Sequence, residues 1–145
     1  MKRLLMVLAL AATGCTTSEG TGAVRVPFVP PGQIIDATHF HRRNAGEIEV
    51  FILCQASEGL LTFYLDRQPV AKLSGGEAIR LYLSPGRHRF GVIPSSQVVL
   101  YSLWEMNADV ARKGPRFYRI FPSGGRNSGW GASFEIAPLK NTQAQ

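Results

Sequence analysis

The sequence predicts an all-β fold, an antiparallel β-sandwich of about seven to eight strands, in one domain over residues 34–138. Three observations lead to this class. Apolar residues alternate with polar ones along several short runs, which is the period of a half-buried strand. Prolines and glycines separate these runs at the spacing of tight turns. The 145 residues are enough for one core and leave little room for a second domain.

Residues 1–14 are expected to be an export signal. Met1-Lys2-Arg3 is basic, and the apolar run from Leu4 to Ala12 is nine residues long. This run is far shorter than the roughly 20 residues with which a helix spans a bilayer. It therefore predicts export and not a transmembrane anchor.

The end of this signal resembles a bacterial lipobox, Ala-Ala-Thr-Gly-Cys, finishing at Cys15. The resemblance implies that the Cys15 thiol accepts lipid, that palmitate is among the acyl chains, and that Cys15 is the first mature residue. Ala12 stands where leucine is usual, and ordinary cleavage after Ala11 or Ala12 is the alternative. Thr16 follows the cysteine in place of aspartate, which implies a lipid anchor in the outer membrane, facing the periplasm.

Residues 15–33 are expected to form a lipidated tether, because Gly, Ser, Thr and Pro dominate and few side chains could pack. A flexible coil of the 18 residues from Thr16 to Gln33 would have an average span of about 25 Å. Such a tether would hold the domain clear of the lipid head groups.

The charge is modestly basic. The 16 basic residues lose Lys2 and Arg3 with the signal and face 10 acidic ones, so the formal charge falls from +6 to +4. In an envelope this favours anionic lipopolysaccharide, phospholipid head groups or peptidoglycan carboxylates as partners. Nucleic acid belongs to another compartment and is not expected.

His39 and His41 are the candidate metal ligands, since two histidines at i and i+2 on a strand share a face. Only His88 could serve as a third, remote ligand. The interpretation we prefer is that both side chains face solvent and flank a buried Phe40. No metal or cofactor is therefore expected; a periplasmic enzyme, or a metal-binding protein using this pair, is the alternative.

The first clear strand runs from Glu47 to Leu53, and Cys54 continues its apolar register. If Cys15 carries lipid, Cys54 has no partner for an intramolecular disulfide. A free cysteine in this register is typical of a small buried apolar residue, and that interpretation is favoured over a reactive thiol.

Residues 61–93 predict a β-meander, four short strands joined by three tight turns. The turns are expected at residues 66–69, 74–77 and 84–87, where the chain reads Asp-Arg-Gln-Pro, Ser-Gly-Gly-Glu and Ser-Pro-Gly-Arg. The last is expected to be a type II turn. The phrase YLDRQPVAKL followed by SPGRHRF resembles PEGA-type surface β-domains and an uncharacterised family of bacterial lipoprotein β-domains. That resemblance implies a fold and no reaction.

An aromatic and basic patch is the candidate binding site. If the strands around the turn at residues 84–87 pair in simple register, five outward side chains share one face: Tyr64, Arg80, Tyr82, Arg87 and Arg89. Arginine forks bind carboxylate or phosphate, and tyrosine stacks beside them, so the patch could hold a glycan or a partner protein. Alternatively the face packs against a second sheet and the arginines lie at its edges.

The segment from Ser96 to Arg112 allows two predictions. Its apolar residues fall at helical spacing, yet the alternation near residues 105–110 and the β-branched and aromatic content favour strands, which we prefer. Residues 112–115 then predict a turn into the strand Arg116 to Phe121. The phrase NADVARKGPRFYRI resembles the closing hairpin of the same lipoprotein β-family.

The remaining segments are a glycine-rich loop at Ser123 to Gly131, a final strand at Ala132 to Ala137, and a polar tail over residues 139–145. The loop lacks the Gly-Lys-Ser/Thr ending of a phosphate-binding loop.

We find no nucleophile or paired carboxylates in a setting that would activate them, so no catalytic residue is assigned. The expected role is non-catalytic: a binding or scaffold module of the periplasmic envelope, with an envelope protein or peptidoglycan as its partner.

Overall fold

The computed structural model describes residues 26–56, 59–95, 103–123 and 134–139. The predicted signal, Cys15 and most of the glycine-rich loop lie outside these residues. Eight strands and one short 3-10 helix, Pro31–Gln33, are present in the described part. The strands are β1 (Ile48–Cys54), β2 (Leu60–Leu65), β3 (Gln68–Ser74), β4 (Ala78–Leu83), β5 (Gly86–Pro94), β6 (Trp104–Val110), β7 (Phe117–Pro122) and β8 (Phe134–Pro138).

The strands form two four-stranded sheets. The first sheet has the order β4-β1-β7-β8, and the second has the order β3-β2-β5-β6. Side chains from both sheets build one shared core. The prediction of an all-β sandwich is therefore confirmed. Within the described ranges, no helix has the length and apolar character that crossing a bilayer requires.

One strand pair departs from the antiparallel expectation. β1 and β7 are parallel, with Ile52 opposite Tyr118 and Cys54 opposite Ile120, whereas the other five strand pairs in the described residues are antiparallel. Parallel neighbours cannot be joined by a tight turn, because the chain must first return to the starting end. Here it does so by building strands β2 to β6 between the two.

The predicted meander is wrong, although its four strands and three turns are present as β2 to β5. Only β2 and β3 pair as a hairpin. The turn after β3 takes the chain to β4 in the first sheet, and the turn after β4 returns it to β5 in the second. Gly86 has φ 137°, away from the value near +80° of a type II turn.

The core is made mainly by alternate residues of the strands, with consecutive buried residues in β3, β4 and β5. In β1 the burial alternates without a break, so that Ile48, Val50, Ile52 and Cys54 face inward. An aromatic contact joins the sheets at the centre. The Phe90 ring of β5 lies 5.8 Å from the Phe63 ring of β2 and 5.1 Å, edge to face, from the Tyr118 ring of β7.

Cys54 is fully buried in this core, as its register predicts. Burial raises the pKa of its thiol, and the charge of Glu77 acts in the same direction. Because the thiolate is the reactive form, this position keeps the sulfur inert.

An N-terminal arm, residues 26–41, covers one side of the sandwich. Ala78 of β4 exchanges backbone hydrogen bonds with Pro27 and Val29, and the carbonyl of Val70 in β3 accepts from the N–H of Ile35 at 2.8 Å. That carbonyl is available because β3 shifts register beside Pro69. Pro27, Phe28 and Val29, which were expected in the tether, thus contact the sandwich, so these contacts extend N-terminal to Ile34.

The opposite side of the sandwich closes through β6 and β8. The Trp104 ring lies 5.4 Å from the Phe134 ring, edge to face. Residues 104–110 form a strand, so the helical prediction for this part of the chain is wrong and the preferred strand prediction is confirmed. Residues 96–102 lie outside the described ranges. The final strand, expected over residues 132–137, is present as β8.

Glu47 is the buried charged residue at the entrance to β1, and it is 4% exposed. Its carboxylate accepts hydrogen bonds from the backbone N–H of Arg43 at 2.7 Å and from the Arg43 Nε at 2.8 Å. The Asn44 side chain accepts from the N–H groups of Gly46 and Glu47, which fixes the turn. Hydrogen bonds from Arg43 lower the pKa of Glu47, against the opposing effect of burial.

Glu47 should make the fold acid-sensitive. Since its folded pKa lies below the reference value of 4.5, the unfolded chain binds the proton first. The stabilisation is complete above the unfolded pKa and is lost as the pH falls through the folded pKa. We expect Glu47→Gln to lower stability at neutral pH and to flatten its decline in acid, measured by urea unfolding from about pH 7 to about pH 3.

The matched control is Glu135→Gln, which changes an exposed carboxylate on β8. This control should keep the parental pH profile. An unchanged acid decline in Glu47→Gln would contradict the role of this carboxylate.

A candidate anion-binding cleft

The five residues of the predicted patch divide between the two sheets. Arg80 and Tyr82 lie on β4 in the first sheet, whereas Tyr64 lies on β2 and Arg87 and Arg89 lie on β5 in the second. The expectation of one shared face is therefore not met, because β4 pairs with β1 and not with β5. The two arginines of β5 nevertheless line a cleft with residues that the patch did not include.

The cleft lies beside the turn that joins β2 and β3. Asp66 and Arg67 are its two central residues, with φ values of 49° and 69°. Two positive φ values in a two-residue hairpin define a type I′ turn, whose twist matches that of the strands. Aspartate tolerates this conformation, but a long side chain such as that of Arg67 is unusual there. The turn therefore holds Arg67 at a cost in backbone strain.

The Asp66 carboxylate fixes this turn to β5. Its Oδ1 accepts a hydrogen bond from the backbone N–H of Arg89 at 2.8 Å, and its Oδ2 lies 2.9 Å from Nδ1 of His88. The Asp66 N–H in turn donates to the Arg89 carbonyl at 2.8 Å. These contacts set the position of Arg89 relative to the turn.

His88 has an acceptor at each ring nitrogen. Its Nε2 lies 2.8 Å from the carbonyl oxygen of Ser84, and its Nδ1 faces the Asp66 carboxylate. A neutral ring carries one N–H and can donate to one of these oxygens, whereas the protonated ring donates to both. The ring is thereby held in one orientation along the wall of the cleft.

Three arginines supply the guanidinium groups of the cleft. Arg67 and Arg89 share Glu105 of β6, at N to O distances of 3.5 Å and 3.8 Å. Arg87 is exposed, and the described residues offer its guanidinium neither an ion pair nor a hydrogen bond. Long, solvent-exposed ion pairs contribute little energy. An incoming anion can therefore displace Glu105 from both arginines at low cost.

The cleft has a volume of about 260 Å³ and is open to solvent. It is lined by Asp66, Arg67, Arg87, His88, Arg89 and Asn107. Three guanidinium groups face the carboxylates of Asp66 and Glu105, and Asp109 lies opposite Arg87 in the pairing of β5 with β6, so the charges balance before His88 is counted. The guanidinium forks suit carboxylate or phosphate, and the Asn107 amide adds a neutral donor and acceptor.

Arg80 and Tyr82, the two predicted residues of the first sheet, contact each other and share the Glu49 carboxylate. The Tyr82 hydroxyl donates to the Glu49 carboxylate at 3.1 Å, and Arg80 lies 3.9 Å from the same carboxylate. The guanidinium of Arg42 sits 5.2 Å from the centre of the Tyr82 ring. Tyr64 is half-buried on β2, opposite Gly91, and does not line the cleft.

His39 and His41 do not lie on a strand. Their segment forms turns and bends, so the shared face on which the metal alternative depended is not formed there. The His39 carbonyl accepts from the N–H of Tyr82, which ties the arm to β4, and His41 is exposed. His88, the remote third ligand of that alternative, lies on β5 in the second sheet. Among the described residues, no three His, Cys, Asp or Glu side chains are grouped as a metal ion would need.

Comparison with known proteins gives no relative from which a role could be taken. No family model, no curated protein and no solved structure matches the chain. The resemblance to PEGA-type and lipoprotein β-domains stays a prediction.

The sequence prediction missed Asp66, Arg67 and Asn107 as members of the site. Because of Pro69, the turn was predicted over residues 66–69, one residue later than the observed turn over residues 65–68. The alternation that ends at Leu65 leaves room for a two-residue turn at Asp66-Arg67. Asn107 becomes a neighbour only through the β5–β6 pairing, in which it lies opposite Arg89.

Replacement of Arg67 should test whether the turn is strained. We expect Arg67→Gly to raise the free energy of unfolding by roughly 0.5–1 kcal/mol, because glycine adopts positive φ freely and the exposed pair with Glu105 is weak. The measurement is denaturant unfolding at neutral pH.

The matched control is Asp66→Gly in the same turn. It should lower stability, since it removes the contacts to His88 and Arg89. Loss of stability in Arg67→Gly would show that the arginine conformation carries no strain.

Proposed function

We propose that this protein is a non-catalytic, lipid-anchored module of the bacterial outer membrane that faces the periplasm and binds carboxylate groups of peptidoglycan. The observation that carries the proposal is the convergence of Arg67, Arg87 and Arg89 on one open cleft, with Arg87 left unpaired among the described residues. The predicted export signal and acylation at Cys15 supply the compartment.

The chemistry of the cleft favours carboxylate recognition by several weak contacts. A planar guanidinium donates two parallel hydrogen bonds to one carboxylate, and two arginines of β5 project from alternate positions of the same strand face. Peptidoglycan presents many carboxylates along one polymer. An open site with exposed, weakly paired arginines binds each of them weakly, and repeated contacts along the polymer increase the overall retention.

A scaffold role agrees with the rigidity around the cleft. Asp66 and His88 use their polar atoms on each other and on the backbone of Ser84 and Arg89, so they fix the backbone from which the arginines project. The backbone of the site therefore needs little ordering when it binds, and the entropic cost falls on the exposed arginine side chains.

Charge reversal in the cleft should abolish peptidoglycan binding. We expect Arg87→Glu combined with Arg89→Glu to lower retention on purified sacculi by at least about tenfold, because acidic groups then face the polymer carboxylates. Amidation of the sacculus carboxylates should remove retention of the parent protein in the same way. The measurement is co-sedimentation with sacculi at fixed ionic strength.

The control is Arg42→Glu combined with Arg80→Glu, which changes the net charge equally on the first-sheet side of the molecule. This control should retain parental binding. Unchanged retention of the cleft variant would remove the peptidoglycan proposal and leave a partner protein as the ligand of the module.

Acylation should depend on Cys15 alone. Cells given labelled palmitate should incorporate it into the parent protein and not into Cys15→Ala. Cys54 is fully buried, so it offers no second acceptor thiol in the folded chain. Label that persists in Cys15→Ala would contradict the anchor, and recovery of the labelled parent with inner membranes would contradict the predicted location.

A further inference from the structure

The outer face of the first sheet carries an apolar surface that the cleft does not use. We call it the phenylalanine face, and it consists of Val26, Phe28, Phe51, Leu53, Phe117 and Leu139. Phe28 is 54% exposed and Phe117 is 45% exposed, and these are among the most exposed large apolar residues of the described chain. Phe51 stacks on Phe117 at 5.0 Å. The residues of this face line a groove of about 140 Å³ whose surface is almost wholly apolar.

Cationic side chains border this face. The guanidinium of Arg80 lies 5.5 Å from the centre of the Phe28 ring, and that of Arg119 lies 4.6 Å from the Phe121 ring. The carboxylate of Glu49 lies 3.9 Å from Arg80 and accepts a hydrogen bond from the Tyr82 hydroxyl. Glu49 is therefore already bound to a side chain of its own sheet. Exposed phenylalanines bordered by arginines are the composition with which interfacial segments bind anionic lipid.

The chain brings this face close to the predicted anchor. Val26, a member of the face, lies eleven residues after Cys15 in the sequence. A segment of eleven residues reaches at most about 40 Å when fully extended. An acyl anchor at Cys15 would therefore keep the phenylalanine face within about 40 Å of the lipid.

We propose that the phenylalanine face lies on the periplasmic surface of the membrane that holds Cys15, with Phe28 and Phe117 inserted among anionic lipid head groups. This inference rests on the acylation put forward under the proposed function. The two outer faces of a sandwich point in opposite directions, so the same contact turns the cleft of the second sheet away from the lipid and towards the peptidoglycan.

The charge pattern favours lipid over a second copy of the chain. A two-fold dimer through this face would place the same patch on both sides of the interface and bring two sets of bordering arginines together. Anionic head groups neutralise these arginines instead.

The first experiment measures the depth of the face directly. Acylated protein is reconstituted in phosphatidylethanolamine vesicles that contain phosphatidylglycerol. A polarity-sensitive fluorophore is attached to the cysteine of Phe117→Cys. In the control it is attached to the cysteine of Lys72→Cys, on β3 of the second sheet. The buried Cys54 takes no label. We expect a blue-shifted emission at position 117 that head-group spin labels quench, and a water-like emission at position 72. Water-like emission at both positions would overturn the proposal.

The second experiment does not depend on acylation. The mature chain carrying Cys15→Ser is sedimented with the same vesicles, alone or with Phe28→Glu and Phe117→Glu. We expect the double variant to lower the partition coefficient at least about tenfold, since two apolar side chains are replaced by charged ones. The control, Thr62→Glu with Tyr64→Glu on the second sheet, should stay within about twofold of the Cys15→Ser parent.

The outcomes separate the two proposals. Vesicle binding that is lost with Phe28→Glu and Phe117→Glu supports the membrane contact. It does so even if palmitate labelling fails, a result that would rule out the acyl anchor alone. Equal partition of parent and double variant overturns the membrane contact while leaving peptidoglycan retention intact. Concentration-dependent dimers in sedimentation velocity, lost in the double variant and unaffected by vesicles, would assign the face to a second copy and also overturn it.

Discussion

The contact between the two sheets at Phe90 is the interaction on which the rest of the structure depends. Its ring meets Phe63 within the second sheet and Tyr118 of the first, and all three side chains are buried. Neither four-stranded sheet could bury its apolar side alone. Once these rings fix the inner faces, the alternation of each strand decides what points outward. The cleft and the phenylalanine face are the two outward sides of this one arrangement.

The exposed edges of the sandwich are protected by different means. On the side of β3 and β4, the N-terminal arm supplies backbone hydrogen bonds to Ala78, Val70 and Tyr82. On the side of β6 and β8, the edge contact of Trp104 with Phe134 draws the sheets together. Unpaired edges invite other chains to add strands, so covering them protects the protein against association through its sheet edges. The arm thus has a structural role besides linking the domain to its predicted anchor.

Local features of the fold could be predicted from the sequence, and pairings between distant segments could not. The alternation around Phe63, Ile79 and Phe90 gave the buried face of each strand correctly, because burial has a period of two whatever the neighbour is. A turn shows that the chain reverses, but it does not show whether the next strand pairs with the last or crosses to the other sheet. For this reason Arg80 and Arg87 were predicted on one face although they lie on different sheets, and Asn107 was not predicted as a neighbour of Arg89. The packing of residues 26–35 was missed because it rests on main-chain bonds, which composition does not reveal.

The parallel pairing of β1 with β7 has a consequence for the order in which this chain can assemble. β1 is central in its sheet, yet one of its neighbours begins at Phe117, more than sixty residues later in the sequence. Contacts of such long separation slow folding, because the loop between them must be closed before the contact contributes. As the chain is synthesised from its N-terminus, β1 keeps one side open until β7 has been made.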